Sequence, residues 1–293
     1  MRKKLSLGQI ILNLSFILVC LTYILPFLML ISISLSDEAT IREFGYTVFP
    51  KNISFDAYKL IFKNPTRILD AYKVTITFSV VNTIGFLIFS SITAYPLSRK
   101  DYRFKSAVTW YFFVTTLFNG GLVSNYILNT RYLHLGNTML IYIIPGLINV
   151  WNVFVMRSFF QNLPEGLVEA AKIDGASEMR IWFQIMLPLS KPMLASLGFM
   201  NLLGKWNNWA TSLYYITDTR LYSLQYLLQK ILREEEYINN MIDQGLEFMT
   251  GSETPIEGMR YAMALIAAGP MIIVYPYFQK YFTKGLTVGS VKG

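Results

Sequence analysis

Residues 169–188 read EAAKIDGASEMRIWFQIMLP, a charged stretch that separates two long apolar segments. Gly175 lies near its middle, and Pro188 ends it. Glycine adopts positive φ at little cost and proline disfavours helix continuation, so the pattern predicts two short helices joined by a tight bend. Ser177 follows the bend and is a suitable cap for the second helix. Apolar residues at helical spacing predict one face that packs on the rest of the molecule. They are Met179, Trp182, Phe183 and Met186.

The composition around this stretch is that of a polytopic all-α membrane protein. Of 293 residues, 53% are hydrophobic and 15% are charged, and the mean hydropathy is +0.39. Soluble domains carry about 25% charged residues. Uncharged runs of about 20 residues cross a bilayer as helices, and six such spans are predicted within a single domain, 1–293. They are about 9–35, 74–97, 106–128, 136–157, 192–216 and 260–280.

The distribution of lysine and arginine predicts the orientation. With the N-terminus in the cytoplasm, the inner segments carry many more bases than acids, as short cytoplasmic loops do. Both termini and the loop 158–191, between spans four and five, are then cytoplasmic. The long loops 37–73 and 218–259 are then outside. The basic net charge is explained by this asymmetry, so membrane lipid is predicted as a partner and nucleic acid is not.

The charged stretch also resembles a known family motif. Glu169, Ala170 and Ala171, then Gly175, then Ile185, Leu187 and Pro188 match the EAA loop, EAA–x3–G–x9–I–x–L–P. That loop marks the permease subunits of binding-protein-dependent ABC importers. The resemblance continues in FNGGLVSNYIL (118–128), GKWNNWATSLYYITD (204–218) and FQKYFTKGLTVGSVKG (278–293). These stretches are similar to the maltose-type second permease of the carbohydrate branch, in the subgroup labelled YtcP- or LplC-like.

The resemblance implies a fold, a set of partners and a site. The fold is that of a type I importer permease, with a cytoplasmic coupling helix between spans four and five. The partners are a second permease, two cytosolic ATPase subunits that hold ATP and magnesium, an extracytoplasmic solute-binding protein and an oligosaccharide. This chain is implied to bind no cofactor and to sit in the cell membrane. The implied coupling residues are Glu169, Ala170, Ala171, Asp174, Gly175, Ile185, Leu187 and Pro188.

Several kinds of chemistry are missing from the sequence. There is no G-x-x-x-x-G-K-[ST] stretch for ATP. The single histidine and single cysteine exclude multi-histidine metal sites and intrachain disulfides. No carboxylate lies within a predicted span, which argues against an intramembrane enzyme and against an ion-coupled carrier. The alternatives left open are an importer of another small polar solute, an ion-coupled carrier, and a scaffold or sensor that transports nothing.

Span five carries the best candidates for contact with a solute. Asn201, Lys205, Asn208 and Ser212 recur at helical spacing and predict a polar stripe that faces a water-filled path. Trp206 and Trp209 flank the stripe, and aromatic faces suit sugar rings. For Lys205 the alternative is an interhelix bond, with backbone carbonyls or with the partner permease. In span three, Asn119 precedes two glycines, which predict either a helix break that lines a cavity or close helix packing.

Overall fold

The computed structural model describes residues 6–63, 65–243 and 255–288. In these ranges it contains no β-strand, only an isolated antiparallel bridge between Ser36 and Ile53. The α-helices, numbered α1–α15, are Leu7–Ser34, Glu38–Phe44, Asp56–Ile61, Pro65–Ser98, Lys105–Leu117, Gly121–Ile127, Leu140–Ile143, Val150–Gln161, Glu165–Ile173, Glu178–Ile181, Leu187–Leu189, Lys191–Trp206, Ala210–Tyr215, Leu224–Asp243 and Ile256–Val288. Two π-helical turns, Leu128–Tyr132 and Trp182–Met186, and one 3-10 turn, Thr219–Leu221, complete the described elements.

Three of the predicted spans are confirmed as helices long and apolar enough to cross a membrane. They are α1, α4 and the part of α15 from Glu257 to Tyr281. Helix α4 begins at Pro65, earlier than the predicted start at 74. Proline is tolerated in a first helical turn because its missing N–H would have no partner there. The outer loop predicted for 37–73 is therefore shorter, and it contains the short helices α2 and α3.

The other three predicted spans are interrupted. Span three divides into α5 and α6, which is the helix-break alternative stated for its glycines, and Gly121 takes a φ of +76° at the break. Span four divides into α7 and α8 around Pro145 and Gly146, where φ reaches +92°. Span five divides into α12 and α13 between Trp206 and Ala210. The expectation of one continuous polar stripe along span five is therefore wrong.

The described residues fall into two compact units. One unit comprises residues 1–68 and 228–270, and the other comprises 69–227 and 271–293. In the first, the segment after α1 is ordered by side-chain bonds: Asn52 Nδ2 donates to Thr40 Oγ1 at 3.0 Å. The carboxylate of Glu38 is buried and accepts a hydrogen bond from the backbone N–H of Gly258 at 3.4 Å. Its burial raises the pKa of the Glu38 carboxyl.

The second unit contains the hydrophobic core cluster on which the charged stretch sits. Helices α4, α8 and α12 each contribute buried side chains to this cluster. The members from these three helices are Phe86, Ala94, Tyr95, Leu97, Val153, Met156, Phe160, Met193 and Leu197. The remaining members are Val168, Ile181, Trp182 and Met186, which belong to the charged stretch and its flanks. The stretch is therefore part of the core of this unit.

Candidate functional site

Residues 165–189, here called the elbow, form the bent segment that the sequence predicted. Helix α9 ends at Ile173, and Gly175 follows with a φ of +76°. The N–H of Ala176 donates to the carbonyl of Ala171 at 2.9 Å, and the N–H of Gly175 donates to that of Lys172 at 3.0 Å. These two bonds are a Schellman motif, which satisfies the last carbonyls of the helix and needs a left-handed residue. The role predicted for Gly175 as the bend is confirmed.

The second half of the elbow begins as predicted and then departs from the α-helical spacing. The Ser177 side chain caps α10 by accepting from the N–H of Arg180 at 3.4 Å. The turn Trp182–Met186 is π-helical, so the number of residues per turn is larger there than in an α-helix. The expected apolar face is thereby divided. Trp182 and Met186 are buried, but Met179 and Phe183 are exposed, and that part of the prediction is wrong.

Apolar side chains along the elbow fasten it to the bundle. Val168, Ile181 and Trp182 are buried in the core cluster. Ala171, Ile185 and Leu187 are half-buried against the same cluster. Burial of a large apolar side chain from water stabilises by about 1.5–3 kcal/mol. Several such residues hold the elbow against the helices beneath it. Pro188, the third residue of the predicted anchor, is exposed.

The opposite side of α9 is an apolar surface with charge at its margin. Ile173 is 86% exposed and Leu167 is 44% exposed, and Ala170 lies between them at three-residue spacing. Glu169 and Asp174 are exposed beside this row. A row of exposed apolar side chains on a short amphipathic helix is a candidate surface for docking on another protein.

An ion network, which the sequence reasoning missed, joins the elbow to the end of α4. The ammonium of Lys172 lies 2.9 Å from Asp101 Oδ2 and 2.7 Å from Glu178 Oε1. The other oxygen of Glu178 accepts a hydrogen bond from the hydroxyl of Tyr95, on α4. One lysine therefore ties both helices of the elbow to the segment after α4. Opposite charges at 99–101 and 165–178 were the only signal for it in the sequence.

Another ion pair lies beside this network and also joins the elbow to the segment after α4. Lys100 Nζ lies 2.6 Å from Glu165 Oε2 at the start of α9. Hydrogen bonds from Lys172 and Lys100 lower the pKa of the carboxyls of Asp101 and Glu165, respectively. At Glu178, burial raises the pKa, but the contacts with Lys172 and Tyr95 outweigh it and the net direction is down. Stability from a lowered carboxyl pKa is present above its unfolded value and is lost only as the pH falls through the folded value.

The structure places Lys205 against backbone carbonyls, as in the alternative stated for it. Its ammonium donates to the carbonyl of Pro145 at 3.0 Å and reaches that of Tyr142 at 3.5 Å. A Cβ on Gly146 would lie 3.1 Å from Lys205 Nζ, so only glycine leaves full room for this approach. Lys205 therefore bonds α12 to the broken end of α7, whose carbonyls lack helical partners.

Two other residues of the predicted stripe, Asn201 and Ser212, also bond between helices. Asn201 Nδ2 donates to Asn82 Oδ1 and to Thr83 Oγ1, both at 3.1 Å. Asn82 in turn donates to the carbonyl of Ile143 at 2.6 Å. The hydroxyls of Ser212 and Tyr142 are hydrogen-bonded to each other at 2.6 Å. These residues form a polar network that holds α4, α7, α12 and α13 together.

The remaining candidates lie at the breaks. Asn208 Oδ1 accepts from the N–H of Thr211 at 3.0 Å, which supports the first turn of α13. Trp206 is buried and Trp209 is half-buried. Asn119 is exposed, and its Oδ1 accepts from the N–H of Gly121 at 2.9 Å, at the break between α5 and α6. Asn119 is not brought to the polar network around Lys205 by any described hydrogen bond.

Lys205→Met is expected to lower stability, because the carbonyls of Tyr142 and Pro145 lose a buried donor. An unsatisfied buried polar group costs about 1–3 kcal/mol. The melting temperature in detergent should fall. Lys191→Met, at an exposed position one helix length away, is the control. A Lys205→Met protein with an unchanged melting temperature would contradict this assignment.

Comparisons with known proteins agree with this geometry. A family described as "Binding-protein-dependent transport system inner membrane component" matches residues 1–288. Protein LplC of Bacillus subtilis strain 168 is 36% identical over 92% of this chain and 90% of its own length. The polygalacturonan/rhamnogalacturonan transport system permease protein YtcP of the same strain is 32% identical over 96% and 95%. A solved bacterial ABC transporter "involved in the import of the acidic polysaccharide alginate" superposes with a TM-score of 0.80, at 26% identity over 94% and 98%.

Proposed function

Since the chain belongs to the family of inner membrane components of binding-protein-dependent transport systems, we propose that it is the permease subunit of an ATP-driven oligosaccharide importer. It is a multi-pass membrane protein and works beside a second permease, two cytosolic ATPase subunits and an extracytoplasmic binding protein. The observation that carries this function is the elbow. Its buried face is continuous with the helix bundle, and its other face exposes Leu167 and Ile173 for a partner.

In this mechanism the elbow transmits movement and performs no covalent chemistry. The exposed row on α9 seats in a cleft of one ATPase subunit, with Glu169 and Asp174 as charged contacts at its margin. ATP and magnesium bind to the ATPase pair, and closure of that pair displaces the elbow. Because Val168, Ile181 and Trp182 are buried in the core cluster, the displacement passes directly to α4, α8 and α12. Gly175 keeps the angle between the two halves of the elbow fixed.

We infer that the membrane is crossed six times, with both termini and the elbow in the cytoplasm. The three long helices account for three crossings. The other three consist of α5 with α6, α7 with α8, and α12 with α13. Non-helical backbone at membrane depth is tolerated where it is buried in protein or lines a water-filled cavity. Around Pro145, the ammonium of Lys205 satisfies the free carbonyl.

The breaks also define the proposed solute path. Asn208, Trp209 and Asn119 lie at or beside interruptions of span five and span three, and their side chains are the proposed contacts for sugar hydroxyls and rings. Asn201, Lys205 and Trp206 shape this path through packing and interhelix bonds. The substrate class follows from relatives whose names specify oligosaccharides or polygalacturonan, and the solved neighbour imports alginate. Acidic oligosaccharides are therefore the first substrates to test.

The function is tested by reconstituting this chain with its second permease and ATPase pair in proteoliposomes. Loaded binding protein on the outside should stimulate ATP hydrolysis and drive sugar uptake several-fold above the rate without ATP. An importer of another polar solute would show the same ATP dependence with amino acids or polyamines in place of sugars. Uptake driven by a proton or sodium gradient, with no ATPase subunit present, would overturn the proposal in favour of an ion-coupled carrier.

A further inference from the structure

A groove lies between helices α5 and α8 at the end of the bundle that carries the elbow. It encloses a cavity of about 770 Å³. Its lining includes four cations, Lys100, Arg103, Lys105 and Arg157, and, farther along α5 than Lys105, the aromatic rings of Trp110 and Phe113. Among the described residues that line it there is no carboxylate. We call this feature the basic groove.

The cations of the basic groove differ in what neutralises them. Lys100 is paired with Glu165 at 2.6 Å. Neither Arg103 nor Lys105 makes an ion pair with any residue that the structure describes. Arg157 Nη1 donates to Thr109 Oγ1 at 3.0 Å, and that hydroxyl donates to the carbonyl of Lys105 at 2.6 Å. The guanidinium is therefore held in place by a neutral partner and not by a carboxylate.

The aromatic end of the groove is open to the surroundings of the helix bundle. Trp110 is 63% exposed and Phe113 is 44% exposed. Their rings meet edge to face with centroids 5.6 Å apart, one turn along α5. Two exposed rings at this position form an apolar wall that continues from the cationic end toward the centre of the predicted span. Trp is enriched at this depth in membrane proteins.

We propose that the basic groove binds the headgroup of an anionic phospholipid, with an acyl chain along Trp110 and Phe113. The phosphate requires cations, and arginine binds phosphate through paired donors. The acyl chain of the lipid requires an apolar wall beside these cations. A soluble phosphate or an acidic peptide would not use such a wall. The proposal rests on the cytoplasmic orientation proposed for residues 99–105, because anionic lipids are found on that side. Bound lipid would then lie next to Lys100 and hence next to the Glu165 end of the elbow.

The proposal is tested on the assembled transporter by titration with phosphatidylglycerol in phosphatidylcholine nanodiscs. Arg103→Gln combined with Lys105→Gln should weaken phosphatidylglycerol binding about 30-fold, since each cation near an anionic lipid contributes about fivefold. Lys191→Gln combined with Lys280→Gln removes the same charge from the same predicted side but outside the groove. This control should leave the affinity within about twofold. Equal loss in both double variants would overturn a specific site.

Two further measurements separate the lipid from other occupants. Trp110→Ala should weaken binding of the lipid, because the acyl chain loses part of its apolar wall, and displacement of the lipid by millimolar glycerol 1-phosphate would overturn the lipid as ligand. A structure of the assembled transporter with the groove filled by another subunit would also overturn it. Lipid binding is read out without transport, so loss of uptake with lipid affinity retained would count against the proposed function and not against this site. Melting temperatures of the variants confirm that they are folded.

Discussion

Gly175→Val is expected to reduce ATP-driven uptake by roughly tenfold or more while leaving the affinity of the binding protein for its sugar unchanged. The φ of Gly175 is +76°, and a left-handed conformation costs an L-residue about 1–2 kcal/mol, with β-branched residues the least tolerated. Relief of that strain breaks the two hydrogen bonds of the Schellman motif and changes the angle between α9 and α10. The measurements are uptake and sugar-stimulated ATP hydrolysis in the same proteoliposomes.

The chain offers a matched control for this substitution. Gly166 lies on the helix that precedes the bend, and a Cβ at either glycine would meet no other atom within 4 Å. The two sites therefore differ in backbone conformation and not in available space. Gly166→Val should keep most of the uptake. Gly175→Asn should keep more than Gly175→Val because asparagine tolerates the left-handed region. Equal activity of Gly175→Val and Gly166→Val would show that the bend is not needed for coupling.

The elbow was predictable from the sequence to the extent that its structure is local. Gly175 and Ser177 act on their immediate neighbours through helix-end hydrogen bonds, and both were assigned correctly. The prediction that Phe183 lies on the packed face was wrong. A π-helical turn depends on how the segment packs, and a pattern with a fixed helical period does not predict such a turn. The long helices α1, α4 and α15 were likewise predictable, because their apolar runs are uninterrupted.

The interior of the second unit was less predictable because its contacts join distant parts of the chain. The polar spacing of Asn201 and Lys205 was recognised, but the sequence did not decide between solute and interhelix bonds. Their partners, Asn82 and the carbonyl of Pro145, lie far away in the sequence. The same holds for the ion pair of Lys172 with Asp101, which lies 71 residues away in the sequence. Charged residues in loops are usually solvated, so spacing alone did not single it out.

Lys172→Glu is expected to impair coupling nearly as strongly as the change at Gly175. The substitution places a third carboxylate between Asp101 and Glu178, which the lysine now joins at 2.9 and 2.7 Å. Repulsion should separate α10 from the segment after α4 and weaken the Glu178 contact with Tyr95. An isolated exposed ion pair contributes only about 0–1 kcal/mol to stability. The substitution has a larger effect here because it removes the ion pairs of Lys172 and also adds repulsion among three carboxylates. We expect uptake to fall about tenfold, with ATP hydrolysis no longer stimulated by loaded binding protein.

Lys191→Glu makes the same change of charge at an exposed position on the same predicted side, outside the network, and should leave coupling largely intact. Lys172→Glu combined with Glu178→Lys restores opposite charges at the junction of α9 and α10 and should recover part of the uptake. Recovery in the double variant would assign the effect to the ion pair itself, because the net charge of the elbow is then that of the native chain. If Lys172→Glu retained full stimulation of ATP hydrolysis, movement of the elbow would have to reach the bundle through its buried apolar face alone.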